Sequence, residues 1–140
     1  MKLLSRISVL LIVLLLGATS CGDEPDGKRD KIKWTNVDNL MNVNGVYYLP
    51  EEGGTCSFTC RNYSNLWMTS IVVDGVRYEF DNGNRLEFFG DWLTLKIEGN
   101  NLMITANALP ESIESRGFTL EVTSGDVFDT IVFGQKKNVY

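Results

Sequence analysis

The 140-residue chain contains no histidine. That absence removes Ser-His-Asp and Cys-His nucleophilic mechanisms and the commonest metal ligand. Paired carboxylates for glycoside cleavage are the acid–base option left. The acids are poorly disposed for it: Glu51 and Glu52 are adjacent and would face opposite sides of an extended chain, and Asp81, Asp91, Asp126 and Asp129 sit near turns. Acids in turns serve local hydrogen bonding more often than chemistry. No enzyme activity, metal or cofactor is therefore expected. Cysteine is scarce as well, at Cys21, Cys56 and Cys60 only. Internal repeats and low-complexity tracts are absent, and no segment beyond Trp34 sustains a helical period.

Long apolar runs are also missing. The uninterrupted stretch Val9–Leu16 is much shorter than the roughly 20 apolar residues that span a membrane. It follows Lys2 and Arg6 and precedes the small residues Gly17, Ala18, Thr19 and Ser20, the order of parts in a secretory signal. Small residues immediately before Cys21 resemble the lipobox of bacterial lipoproteins, although Ala18 stands where leucine is common. The resemblance implies that residues 1–20 are a signal peptide and that Cys21 becomes the lipidated first residue of the mature chain. Lipidation there is expected to put more than one acyl chain on the cysteine, which stable anchoring requires.

Residues 22–33, GDEPDGKRDKIK, are nearly all charged or turn-forming and bury too little to order themselves, so 21–33 reads as a flexible tether. Asp23 and Glu24 resemble the acidic signals that send some Bacteroidetes lipoproteins to the outer cell surface. Without residues 1–20 the chain keeps 11 basic and 18 acidic residues, a net charge of −7. That balance argues against nucleic acid or an anionic membrane face as electrostatic partner.

The domain 34–140 is written in short β-branched and aromatic runs separated by turn signals. Asp74-Gly75 divides SIVV from VRYEF, and Asp81-Asn82-Gly83-Asn84 divides YEF from RLEFF. Gly99-Asn100-Asn101 and Ser124-Gly125 divide two further pairs. Each predicts a hairpin. Leu93, Leu95 and Ile97 alternate with polar residues, as do Phe118, Leu120 and Val122, so each strand has one buried and one wet face. The break at 107–114, with Pro110, predicts a connection between sheets. The pattern predicts an all-β fold, an immunoglobulin-like antiparallel β-sandwich of about seven or eight strands.

Cys56 and Cys60 lie four residues apart on a predicted strand, with Cα atoms about 13 Å apart on one face. A disulfide spans roughly 4.4–6.8 Å, so the pair is expected to stay reduced and to line the core with Phe58.

Three stretches together resemble the BACON domain, a Bacteroidetes-associated module of carbohydrate-active proteins. The first, EEGGTCSFTCRNYSNLWMTS, has Gly53-Gly54 ahead of a strand and Trp67 after it. The second is DWLTLKI, with Trp92-Leu93. The third, ITANALPESIESRGFTLEVTSGDVFDTIVFGQKK, has Asn107, Arg116 at the opening of a strand and Gln135 at the close of the last one. The resemblance covers residues 46–137 and implies an immunoglobulin-like sandwich with a role in binding glycan or mucin. The segment between Trp67 and Trp92 is longer than usual for that family.

Trp67, between Leu66 and Met68, is expected in the core, and Trp92 in the core or half-buried. The candidate ligand-contact aromatics are Tyr63, in a turn-rich segment, and the adjacent pairs Tyr47-Tyr48 and Phe88-Phe89. Within a pair on a strand, one ring must face away from the other. Asp129-Thr130-Ile131 resembles the acceptor for O-glycosylation in Bacteroidetes, which implies Thr130 as a modification site. The expectation is a non-catalytic, lipid-anchored module of the cell envelope, at the outer membrane and surface-exposed, with a periplasm-facing placement as the alternative, contacting glycan or mucin-type glycoprotein. The alternative is a structural or protein-interaction subunit of a surface complex.

Overall fold

The structure, a computed structural model, describes residues 29–35, 40–80 and 83–139. The leader, Cys21 and residues 22–28 of the expected tether lie outside the described residues. Among the described residues eleven strands form two facing sheets: β1 (Trp34–Thr35), β2 (Met41–Val43), β3 (Val46–Leu49), β4 (Gly54–Cys60), β5 (Trp67–Val73), β6 (Val76–Glu79), β7 (Glu87–Phe89), β8 (Leu93–Glu98), β9 (Asn101–Ala106), β10 (Ser115–Ser124) and β11 (Val127–Lys136). One sheet has the order β1-β4-β9-β8-β7, the other β2-β3-β11-β10-β5-β6. This is the expected all-β, immunoglobulin-like sandwich. The strand number exceeds the seven or eight read from the sequence because β1, β2 and β3 have only two, three and four residues. Segments that short show no alternation. One pair, β3 with β11, is parallel, so the sandwich is not wholly antiparallel.

Alternation decides what is buried. Leu93, Leu95 and Ile97 of β8 point inward, as do Phe118, Leu120 and Val122 of β10. Cys56, Phe58 and Cys60 form the inward stripe of β4, and no disulfide joins the two cysteines. Phe58 sits where the sheets meet, with its ring centroid 4.9 Å from Tyr47, 5.3 Å from Phe133 and 5.8 Å from Trp34.

Turn chemistry explains the hairpins. Asp74 and Gly75 have φ of 50° and 77°, the two positive values of a type I′ turn joining β5 to β6. Asn44-Gly45, at 52° and 84°, does the same between β2 and β3, a hairpin the turn signals above did not include. Gly99 and Gly125 occupy the first turn position of the β8–β9 and β10–β11 hairpins with φ of 62° and 63°. The hairpin expected between β6 and β7 is not formed. β6 and β7 belong to different sheets, so this connection crosses the sandwich instead of closing a hairpin. A turn signal marks where the chain reverses, not which sheet it joins. The 107–114 segment also passes between sheets, from β9 to β10, as expected.

Trp67 is another correction. It is only half-buried, while Leu66 and Met68 on either side are buried. Three large apolar residues in a row leave the inward face ambiguous, and alternation gives it to the flanking pair. A register shift between Glu121 and Val122 then resets β5, so that Ser70 and Ile71 are both buried.

Composition also assigned residues 29–33 to the tether, yet they are held against one end of the sandwich. Ile32 joins the core, and Lys33 N–H donates to Asn62 Oδ1 at 3.1 Å. Asn62 Nδ2 donates to Lys31 O at 2.7 Å, and the Tyr63 hydroxyl donates to Asp30 O. Arg29 pairs with Asp126 at 2.7 Å. Arg61 N–H donates to Lys33 O at 2.8 Å as well, so a single buried isoleucine and five bonds hold what the local charge would leave loose. Asn62→Ala removes two of those bonds and is expected to cost about 1 kcal/mol. Tryptic cleavage after Lys31 and Lys33 should accelerate in that variant with the sheets intact; an unchanged cleavage rate would refute the clasp.

Candidate functional site

The open side of the sandwich lies between two strands that end their sheets. Among the described residues β6 pairs only with β5 and β7 only with β8. A cleft of about 210 Å³ runs between them, lined by Val73, Asp74, Val76 and Tyr78 on one side and Phe88 to Asp91 on the other.

Local rules build both walls. The type I′ turn returns β6 beside β5 so that Val76 opposes Val73 and Tyr78 opposes Ile71. Val76 and Tyr78 therefore share the inward face of β5, but among the described residues no further strand pairs with β6, and Tyr78 stays 43% exposed. On β7, Phe88 turns inward and is buried, whereas Phe89 turns outward and is 74% exposed. Gly90 follows because the Phe88 ring fills the space of a side chain: a Cβ there would lie 2.9 Å from Phe88 Cε1. Phe88 supports the cleft from below, 5.3 Å from Tyr78 and 6.2 Å from Phe80 between ring centroids.

Polar groups behind the cleft are linked in a chain. The Trp92 indole N–H donates to Asp74 Oδ2 at 3.1 Å. Arg116 lies over the Trp92 ring, its Cζ 4.2 Å from the centroid, and donates from Nε to Gln135 Oε1 at 2.8 Å. Its Nη2 donates to Asn107 O at 3.0 Å and Ala108 O at 3.1 Å. Gln135 is fully buried and donates from Nε2 to Pro50 O and Asn107 O, both at 2.9 Å. Burial lowers the affinity of the Arg116 guanidinium for its proton, and the Asp74 carboxylate works against that effect. The network ties the 107–109 crossing, β11 and the end of β3 to the indole that orients Asp74.

The candidate residues scatter over the fold instead of converging. Phe89 forms the rim of the cleft and Phe88 its floor. Tyr47 packs inward on Phe58 and Phe133. Tyr48 is half-buried and covers Gly134, where a Cβ would lie 2.9 Å from its ring. Tyr63 is a half-buried part of the clasp on Asp30. Thr130 is exposed on β11, while the preceding Asp129 accepts the Trp34 indole N–H at 2.8 Å. Tyr78 and the pairing of Asp74 with Asp91 are additional to the residues read from the sequence. The alternation of Val76 and Tyr78 after the Asp74-Gly75 turn was a visible signal for a shared face. Its proximity to β7 was not, because those strands belong to different sheets. Among the described residues no group of three or more cysteine or carboxylate side chains gathers as a metal site.

The arrangement suits a ligand with one apolar and one hydroxyl-bearing side. Exposed aromatic faces bury C–H surface, and carboxylates accept hydroxyl protons. Comparison with solved structures finds similarity to a protein from Bacteroides thetaiotaomicron determined by NMR, at 34% identity, a TM-score of 0.68, and coverage of 85% of this chain and 98% of that one. A chimeric titin Z1Z2-Z1Z2 tandem carrying a GRGDS peptide from fibronectin aligns at 16% identity and a TM-score of 0.41, covering 75% of this chain and 48% of that one. No family model matches the chain, and no curated protein does.

Proposed function

This chain belongs to the family of the Bacteroides thetaiotaomicron protein, and from that premise and the cleft we propose a non-catalytic, glycan-contacting module of the bacterial cell envelope. The observation that carries the reading is the pairing of exposed Phe89 and Tyr78 with Asp74 and Asp91 in one cleft. A pyranose ring laid on Phe89 would bury its C–H face while its hydroxyls donate to the carboxylates. The resemblance to BACON domains supports the same ligand class. The lipobox-like residues before Cys21 support anchoring at the outer membrane, with the domain displayed at the surface.

Placement of the cleft agrees with display. Arg29 is held at Asp126, in the β10–β11 turn. Asp74 lies beyond Val73, which opposes Phe118 at the other end of β10. About eight residues of strand separate the two ends, roughly 25 Å. A tether leaving at Arg29 would put the cleft on the side away from the anchor. The test is binding of the protein to a glycan array and to mucin, then the same with Phe89→Ser and Tyr78→Ser combined. The double variant is expected to lose at least about 10-fold in affinity with its melting temperature little changed, and a blank for the unsubstituted protein would end the proposal.

A second reading, an accessory subunit of a surface complex, is favoured by the outer face of the six-stranded sheet. Val43, Val46 and Val132 lie side by side across β2, β3 and β11, next to Met41, and Met41, Val43 and Val132 are exposed. Crosslinking in cells distinguishes the two: a stoichiometric envelope partner attached through this face supports the subunit, and solitary recovery counts against it.

A further inference from the structure

Asp74 and Asp91 are the charged residues of the cleft lining, which includes no lysine or arginine. Arg116 stands behind Trp92, with its Nε and Nη2 donating to Gln135, Asn107 and Ala108. On the neighbouring strand Arg77 opposes Val72, on the outer face, and is paired with Glu79. The cleft thus offers two carboxylates and exposed aromatic rings, without a cation of its own to receive an anion.

We infer that the cleft selects uncharged, hydroxyl-rich sugars and rejects sugars bearing carboxylate or sulfate groups. This rests on the glycan reading above. An ionised carboxylate only accepts hydrogen bonds, so it is satisfied by a sugar hydroxyl and left unsatisfied by another anion. The faces of Phe89 and Tyr78 carry the negative side of the ring quadrupole, which also disfavours an anion laid against them. Both effects have the same sign, and the net negative charge of the whole chain adds to them. Terminally sialylated or sulfated chains should therefore bind through their uncharged internal residues or not at all.

The full chain in detergent, applied to matched pairs of the same oligosaccharide with and without a sialyl or sulfate group, tests this directly. Lactose against sialyllactose is one such pair. At about 0.15 M salt the acidic member should bind at least about 10-fold more weakly. The gap should narrow in 1 M salt, where the screening length falls to about 3 Å. Asp74→Asn with Asp91→Asn should bring acidic members to within about 3-fold of the neutral ones. Asparagine keeps an acceptor for the Trp92 indole and tolerates the positive φ at position 74. Equal melting of the variant confirms the fold. Acidic sugars bound as well as neutral ones by the unsubstituted chain would overturn the charge selection and leave the glycan reading standing. A blank across every pair would remove both.

Discussion

Gln135→Leu is expected to destabilise the protein by about 3 kcal/mol and to lower its melting temperature by about 12 °C. The side chain is completely buried and makes three hydrogen bonds, one accepted from Arg116 and two donated to Pro50 O and Asn107 O. Leucine has nearly the same volume, so the cost is not a cavity. It comes from the Arg116 Nε–H, left without this partner, and from the weakening at Pro50 O, which keeps the Gly53 N–H, and at Asn107 O, which keeps Arg116 Nη2. Each such group costs about 1–3 kcal/mol, offset in part by the gain from burying an apolar side chain. Arg116→Met combined with Gln135→Leu should cost clearly less than the sum of the two single changes, because the partners belong to one network. Thermal or denaturant unfolding of the three variants measures this. Strict additivity would show that the two side chains act independently.

Phe58→Ala is expected to cost about 4 kcal/mol, the range found for phenylalanine truncated in a packed core. Phe58 has no exposed surface and meets Trp34, Tyr47 and Phe133, which come from both sheets. Its removal opens a cavity at the point where the sheets touch, and strands held by ladder hydrogen bonds cannot close over it without shifting register. Phe58→Leu, which keeps most of the volume, should cost about half as much. Chemical denaturation measures both. A loss below about 1.5 kcal/mol for the alanine variant would mean that the sheets are not pinned here. The cleft lies at the far edge of the sandwich, so ligand binding by the folded fraction should survive either change.

The residues behind the BACON resemblance acquire physical roles in the structure. Asn107, Arg116 and Gln135 meet in one network around the buried Gln135 side chain, although 28 residues separate the first from the last. Their positions in the chain show no sign of this, since side-chain hydrogen bonds between segments distant in sequence leave no periodicity. Trp92 joins them through Arg116 and reaches Asp74 through its indole. Among the aromatic candidates, the pair rule worked one residue at a time: Phe88 is in and Phe89 out, and Tyr47 is in while Tyr48 lies outward over Gly134. It could not say that Phe88 and Phe89, rather than Tyr47 and Tyr48, would line a cleft. Tyr63 looked available because its neighbours are polar, but its hydroxyl closes on the backbone of Asp30, a partner 33 residues away.

By itself, the sequence determined the fold class, the inward stripes of β4, β8 and β10, the turn at Asp74-Gly75 and the reduced state of Cys56 and Cys60. All of these follow from interactions within one strand or across one turn: alternation at a period of two, backbone angles that Asp, Asn and Gly tolerate, and the span of four extended residues. Only the tertiary structure decided which sheet each strand joins, that residues 29–33 dock, and that Tyr78, Phe89, Asp74 and Asp91 share a cleft. The cleft depends on two edge strands, β6 and β7, left uncovered on the same side of the sandwich. Such a neighbourhood is fixed by the packing of one sheet on the other, and that packing is long-range.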